Sequence, residues 1–204
     1  MNLLILGASG RTGLLVVEQA LAAGHDVTAL VRSPEKLTVH NSPLHVVAGQ
    51  ATDADDVARA MAGAGAVISV LGGGGSVILD SSRAIIEAAN RTGVTRVVVM
   101  SSFLVERDRM GTLSWLITGV AGTSKIKDKQ AGEELLRKSD LEWTIVYPGP
   151  LTDGSATGSV HVLPEGAKRR VSERISRADV AAWLVEAATG RQTGRRSMDI
   201  TGGS

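Results

Sequence analysis

Three glycines spaced three residues apart, in Gly7-Ala8-Ser9-Gly10-Arg11-Thr12-Gly13, follow the apolar run Leu3-Leu4-Ile5-Leu6 and precede a segment whose apolar face includes Leu14, Val17 and Leu21. A strand, a tight turn and a helix in that order constrain this chain more than any other feature. Glycine lets a backbone turn sharply and approach a bulky group. The first turn of a helix leaves free N–H groups and the positive end of the helix dipole facing whatever occupies the turn. A pyrophosphate satisfies both conditions, so Gly7, Gly10 and Gly13 are read as the phosphate cradle of a dinucleotide site. The first gap is one residue longer than in the common GxGxxG pattern. The plain alternative, a tight turn without a ligand, is weighed down by the strand and helix on either side.

The rest of the chain repeats the same alternation. Short apolar runs at 3–6, 27–31, 44–48, 66–70, 96–100 and 143–147 interleave with stretches of helical period near 12–23, 54–62, 77–92 and 125–139. With only five aromatic residues (Phe103, Trp115, Trp143, Tyr147 and Trp183), the core must be built from Val, Ile, Leu and Ala, which suits parallel strands buried on both faces. Right-handed strand–helix–strand units then predict an α/β fold with a doubly wound, mostly parallel sheet and a ligand crevice beyond the carboxyl ends of its strands. The length of 204 residues predicts a single domain, 1–204. After Pro148 the rhythm loosens, and 148–175 is read as a substrate-side excursion before a helix near 177–189 and a strand near 196–200.

The second strand chooses between cofactors. An acidic residue there accepts the ribose 2′-hydroxyl of NAD, whereas a 2′-phosphate calls for cations. Here the strand ends at Arg32, followed by Ser33-Pro34-Glu35-Lys36. Arg32 and Lys36, with Arg11 as a third cation from the glycine turn, point to NADP(H), because a guanidinium fork matches two phosphate oxygens at once. An ordinary solvated arginine at a strand end is the competing reading.

Other chemistries lack their residues. A formal charge of +1, evenly spread, gives no basic stripe for nucleic acid, which leaves a small-molecule partner. The absence of cysteine removes disulfides, thiolate metal sites and thiol nucleophiles, and His25, His40, His45 and His161 show no metal-ligand spacing, so no metal is expected. The uncharged stretch 60–79 is long enough for a membrane span but interrupted by glycines, and reads as a buried strand plus a loop. With no leader-like start, a cytoplasmic location is expected. Oligomeric state is not legible. Asp53, Asp55 and Asp56 suit the start of a helix, and Ser176-x-x-Asp179 reads as a helix cap. The stretch 111–124 around Trp115-Leu116-Ile117 is either a lid or a packed short helix. His161 and Trp183 suggest no partner.

The segments GASGRTG, LVRSPEKL, VVVMSSF and LEWTIVYPGPL together resemble the atypical branch of the short-chain dehydrogenase/reductases, which includes the NmrA-like regulators and the flavin reductase also called biliverdin reductase B. The resemblance implies a Rossmann fold binding NAD(P)H. It implies that Ser9, Arg11 and Thr12 lie near the phosphates, with the 2′-phosphate on Arg32 and Lys36. Gln50 and Ala51 would lie beside the adenine, where relatives carry an acidic residue followed by an apolar one. Leu71 and Gly72 would pack along the adenosine ribose and pyrophosphate. Ser102, next to Ser101, would match the active-site serine, Lys129 the helix lysine that reaches the nicotinamide ribose, and Pro148-Gly149 the turn near the carboxamide.

Departures from the wider superfamily narrow the chemistry. The residue four before Lys129 is Lys125, and Tyr147 is followed four later by Leu151, so no Tyr-x-x-x-Lys exists to pass protons to a substrate oxygen. The histidine that the biliverdin reductase group carries after the sixth strand is replaced by Pro150. Ser102 and Lys129 remain as candidate catalytic residues, Ser102 having a strand-end cap as its alternative role. Hydride delivery to a flat conjugated acceptor (flavin, quinone or tetrapyrrole-like), with the last proton from water, fits this inventory. A non-catalytic NADP(H) sensor fits the same missing tyrosine, while a sugar-nucleotide epimerase is disfavoured by it.

Overall fold

The central strands form where the apolar runs lie, because they are buried on both faces. In β1 (Asn2–Leu6), Leu3 and Ile5 pack on one side of the sheet while Leu4 and Leu6 pack on the other. The computed structural model describes all residues except 40–43, 106–113, 165, 168–171, 191–193 and 204, and gives only the backbone over 114–123. The chain continues through α1 (Arg11–Ala22), β2 (Asp26–Val31), β3 (Leu44–Ala48), α2 (Ala54–Met61), β4 (Ala66–Ser69), α3 (Val77–Thr92), β5 (Arg96–Met100), α4 (Ser114–Lys138) and β6 (Glu142–Pro148). Beyond β6 lie β7 (Leu151–Thr152), β8 (Val160–Val162), β9 (Ile175–Ser176), α5 (Arg177–Thr189) and β10 (Arg196–Gly202).

Eight strands make one sheet in the order β3-β2-β1-β4-β5-β6-β10-β8, parallel throughout except for β8 against β10. The order reverses between β1 and β4. This is the topological switch point at which such sheets open a crevice. Helices α1 and α5 cover one face through Val16, Val17 and Ala20 against Val180, Leu184 and Ala188. The other face is covered by Val57 and Met61 of α2, Ile85 and Ala88 of α3 and Leu136 of α4.

The excursion after β6 is short but anchored. β7 and β9 form a two-stranded parallel pair, and the buried carboxylate of Asp179 accepts hydrogen bonds from the backbone N–H groups of Thr157 and Gly158, 2.8 and 2.9 Å away. Asp179 also completes the expected cap of α5, with the Ser176 hydroxyl accepting from Asp179 N at 2.9 Å. The 60–79 stretch resolves into the end of α2, β4, a glycine loop and the first turn of α3. No described helix is long and apolar enough to cross a membrane. Residues 114–124 form the opening turns of the long helix α4 rather than a short helix of their own, while 111–113 lie outside the described residues. Trp183 packs partly buried against the α1/α5 core and borders a groove of about 370 Å³ next to β10.

Candidate functional site

The glycine turn is built by close approach. Gly7, at φ 86°, lies in the left-handed region that favours glycine, and a Cβ on it would stand 3.1 Å from the Val70 carbonyl. A Cβ on Gly13 would stand 2.0 Å from the Gly7 carbonyl oxygen, so α1 can leave the turn only with glycine there. Gly10 is the N-cap of α1, in extended conformation (φ −82°, ψ 164°), with its N–H donated to Gly7 O.

Differences among helix N-termini show where an anion fits. In α2 the Asp53 side chain accepts from Asp55 N and Asp56 N, and in α5 Ser176 accepts from Asp179 N. In α3 the Ser76 N-cap makes no side-chain cap, but the buried Asp128 carboxylate reaches across from α4 to Ile78 N and Leu79 N, 2.9 and 3.0 Å away. At α1, no side chain caps the first turn and no acidic residue lies in it. Its dipole therefore faces an uncompensated opening.

That opening leads into a groove of about 480 Å³ beyond β1, β2 and β4. Gly7, Ser9, Gly10, Arg32, Gln50, Ala51, Leu71 and Gly72 all line it. Thr12 and Gly13 are buried behind the turn, and Lys36 is exposed at the end of a short 3-10 turn, Pro34–Lys36, four residues beyond Arg32 and outside the lining. Arg11 is exposed and forms an ion pair with Asp153 of the excursion, which also pairs with Arg177 at 2.7 Å. The third cation from the turn is thus engaged across the cleft. At Gln50, the backbone N–H donates to Asp56 Oδ2 at 2.8 Å. This bond and the Arg59 guanidinium hold the Asp56 carboxyl below its ordinary range, so an acidic group from α2 stands beside the position where the sequence lacks one.

A second cluster lies beyond β5. Ser101 is buried, and its hydroxyl donates to Glu133 Oε1. Lys129, one turn earlier on α4, lines a small cavity with Ser69, Ser81, Ser82, Ser101 and Glu133. Burial lowers the Lys129 ammonium from its ordinary range, opposed by the charges of Glu133 and Asp128. Gly132 makes this approach possible, since a Cβ there would come within 2.8 Å of Ser82 Oγ and 2.9 Å of the Ile78 carbonyl. Ser102 behaves differently: its Oγ accepts from Leu104 N at 3.3 Å and its carbonyl from Val105 N, as a strand-end cap does. Pro148 and Gly149 are buried at the end of β6, where Gly149 lines a separate small cavity with Phe103, Tyr147, Pro150 and Leu163. Glu133 and Asp128 carry no motif and were missed by sequence reasoning. The available signal was the spacing of Lys129, Glu133 and Arg137, which puts all three on one helix face.

Fold and groove together define a doubly wound nucleotide-binding protein with an open helix terminus at its switch point. A family model described as NAD(P)H-binding matches residues 7–191, and the chain belongs to that family. An uncharacterized chloroplastic protein of Arabidopsis thaliana is 31% identical over 212 residues, covering 96% of this chain and 75% of its own. A (4-alkanoyl-5-oxo-2,5-dihydrofuran-3-yl)methyl phosphate reductase of Streptomyces griseus is 27% identical, with 98% of this chain and 67% of that protein covered. Among solved structures, an anaerobillin reductase from Escherichia coli O157:H7 superimposes with a TM-score of 0.80 at 27% identity, over 99% of this chain and 97% of the other.

Proposed function

We propose that this protein is an NADPH-dependent reductase that delivers hydride to a flat conjugated acceptor of the flavin, quinone or tetrapyrrole-like class. The observation that carries the reading is the uncapped first turn of α1, opening into a groove with Arg32 among its lining residues. A pyrophosphate answers the first and a 2′-phosphate the second. The groove fits a dinucleotide in donor set as well as in shape. Gly7, Ser9 and Gly10 would meet the pyrophosphate, Arg32 with Lys36 the 2′-phosphate, Gln50 and Ala51 the adenine, and Leu71 with Gly72 the adenosine ribose. Ser101, just after β5, and Lys129, on α4, would meet the nicotinamide half, and Pro148-Gly149 its carboxamide.

A reduced nicotinamide supplies the hydride when bound. The protein's own share is orientation and charge. The only tyrosine, Tyr147, is 1% exposed and donates its hydroxyl to Glu133, so its one phenolic proton is committed to that carboxylate. An acceptor that spreads incoming charge over a conjugated system needs no such acid, and its developing charge can be met by Lys129. The reductase names of the Streptomyces griseus and Escherichia coli relatives support this reading.

Steady-state NADPH oxidation with a panel of flavins, quinones and linear tetrapyrroles tests it. Acceptor-dependent oxidation above the buffer rate is the expected result. Tight NADPH binding with no acceptor reduced would replace the reading with that of a redox sensor.

A further inference from the structure

Helix α4 presents Lys129, Glu133 and Arg137 at successive turns toward β5 and β6. Glu133 is the pivot of the three, at 2% exposure. Its Oε1 accepts from Ser101, and its Oε2 accepts from the Tyr147 hydroxyl and from Arg137 Nη2 at 3.0 Å. Arg137 also donates to Tyr147 Oη at 2.7 Å. Three donors from two strands and the helix itself thus converge on one buried carboxylate. Such convergence fixes the side chain and charges every bond it accepts.

We propose that Glu133 is the positioning residue of the reductase site, turning Ser101 into a pure hydrogen-bond acceptor and placing a carboxylate in the cavity that Lys129 shares. This inference rests on the reading of the crevice given above. A serine hydroxyl has one proton. Because that proton is directed at Glu133, the lone pairs of Ser101 are what remains for a ligand, so Ser101 recognises donors such as a carboxamide NH2 or a ribose hydroxyl. It cannot at the same time donate to an acceptor's oxygen, and that task passes to Lys129.

Lys129 in turn depends on Glu133. In the cavity they share, the groups from β4, α3 and β5 are neutral: Ser69, Ser81, Ser82 and Ser101 among apolar side chains. The other nearby carboxylate, Asp128, is committed to the N–H groups that open α3. Arg137 lies on the far side of Glu133, where it draws on the same carboxylate. Desolvation acts against an ammonium here, and the nearby charge of Glu133, with that of Asp128 after it, opposes it.

Competitive labelling of the lysines with trace acetic anhydride across a pH series, read peptide by peptide by mass spectrometry, measures the Lys129 midpoint without any turnover. Lys125, Lys127 and Lys138 serve as internal references. Glu133→Gln, which keeps the shape and loses the charge, is expected to lower the Lys129 midpoint by about one pH unit or more. Tyr147→Phe, which removes a hydroxyl but no charge beside Lys129, should leave it within about 0.3 unit. Should Glu133→Gln fail to fold, Arg137→Gln carries the test, because removing the competing cation should raise the midpoint. An unchanged or raised midpoint in folded Glu133→Gln, or a lowered one in Arg137→Gln, overturns the proposal. A protein that shows the expected midpoints yet reduces no acceptor would refute the reductase reading while leaving the role of Glu133 standing.

Discussion

One added methyl group should have opposite consequences at two glycines of the same turn. In Gly13→Ala the new Cβ would stand 2.0 Å from Gly7 O, 2.8 Å from Gly7 C and 2.9 Å from Ala8 Cα, all of them backbone. Carbon and carbonyl oxygen settle at about 3.3 Å at the closest, so turn and helix would have to part by roughly 1.3 Å. Forced overpacking of this kind costs about 1–3 kcal/mol or more. The better helix propensity of alanine offsets at most ~1 kcal/mol. A net loss near 2 kcal/mol lowers the melting temperature of a chain this long by roughly 4–8 °C. In Gly10→Ala the nearest atom is Gly7 O at 3.3 Å, and the extended backbone accepts any residue. Its stability should stay within about 1 kcal/mol of the unmutated protein. The methyl would instead stand on the uncapped turn of α1, at the wall of the groove, and NADPH affinity should fall at least tenfold, about 1.4 kcal/mol. Thermal melts and calorimetric titrations of both variants decide the matter. The reasoning is refuted if Gly13→Ala melts with the unmutated protein, or if folded Gly10→Ala binds NADPH unchanged.

Arg32→Ala should reduce the preference for NADPH over NADH by roughly 10- to 100-fold, the range of a charge-assisted bond of about 1.5–3 kcal/mol, and calorimetry with both cofactors checks it. Ser102→Ala should slow acceptor reduction less than Ser101→Ala does, because Ser102 caps its own turn whereas Ser101 joins the Glu133 cluster; steady-state rates of the two variants give the comparison. Asp179 is desolvated, which raises its carboxyl, but hydrogen bonds from Ser176, Gly158 and Thr157 outweigh this and hold it below its ordinary value. A depressed folded-state value contributes stability above the unfolded pKa, near 3.8, that is lost as pH falls through the folded one. The stability gap between the unmutated protein and Asp179→Asn should therefore be widest above about pH 4 and close below it, as denaturant midpoints at a series of pH values would show.

Strands and helices were legible because burial on both faces imposes continuous apolar runs, and the runs at 3–6 and 96–100 coincide with β1 and β5 to within a residue. The glycine turn was legible because its conformation and close packing admit one residue type at Gly7 and Gly13. The clusters that join distant segments were not. Asp128 opens α3 from 49 and 50 residues away, and Ser101 meets Glu133 across 32 residues, so no local spacing announces either. Sequence also could not separate Ser101 from Ser102. Adjacent residues at a strand end point to opposite sides, and only the position of α4 shows that Ser101 joins the buried cluster. The partner of Arg11 was hidden for the same reason, since Asp153 belongs to the excursion and approaches only through the pairing of β7 with β9.

The central claim is that the groove and the end of β5 form one hydride-transfer site. It is tested most directly by single-turnover kinetics, in which protein preloaded with a stoichiometric amount of NADPH is mixed anaerobically with a flavin or quinone while nicotinamide absorbance is followed. The account predicts that the bound NADPH is consumed in one exponential phase whose rate rises with acceptor concentration, that NADH reacts more weakly at equal concentration, and that Lys129→Met slows the phase. Bound NADPH that survives every acceptor at the rate seen in buffer would contradict it.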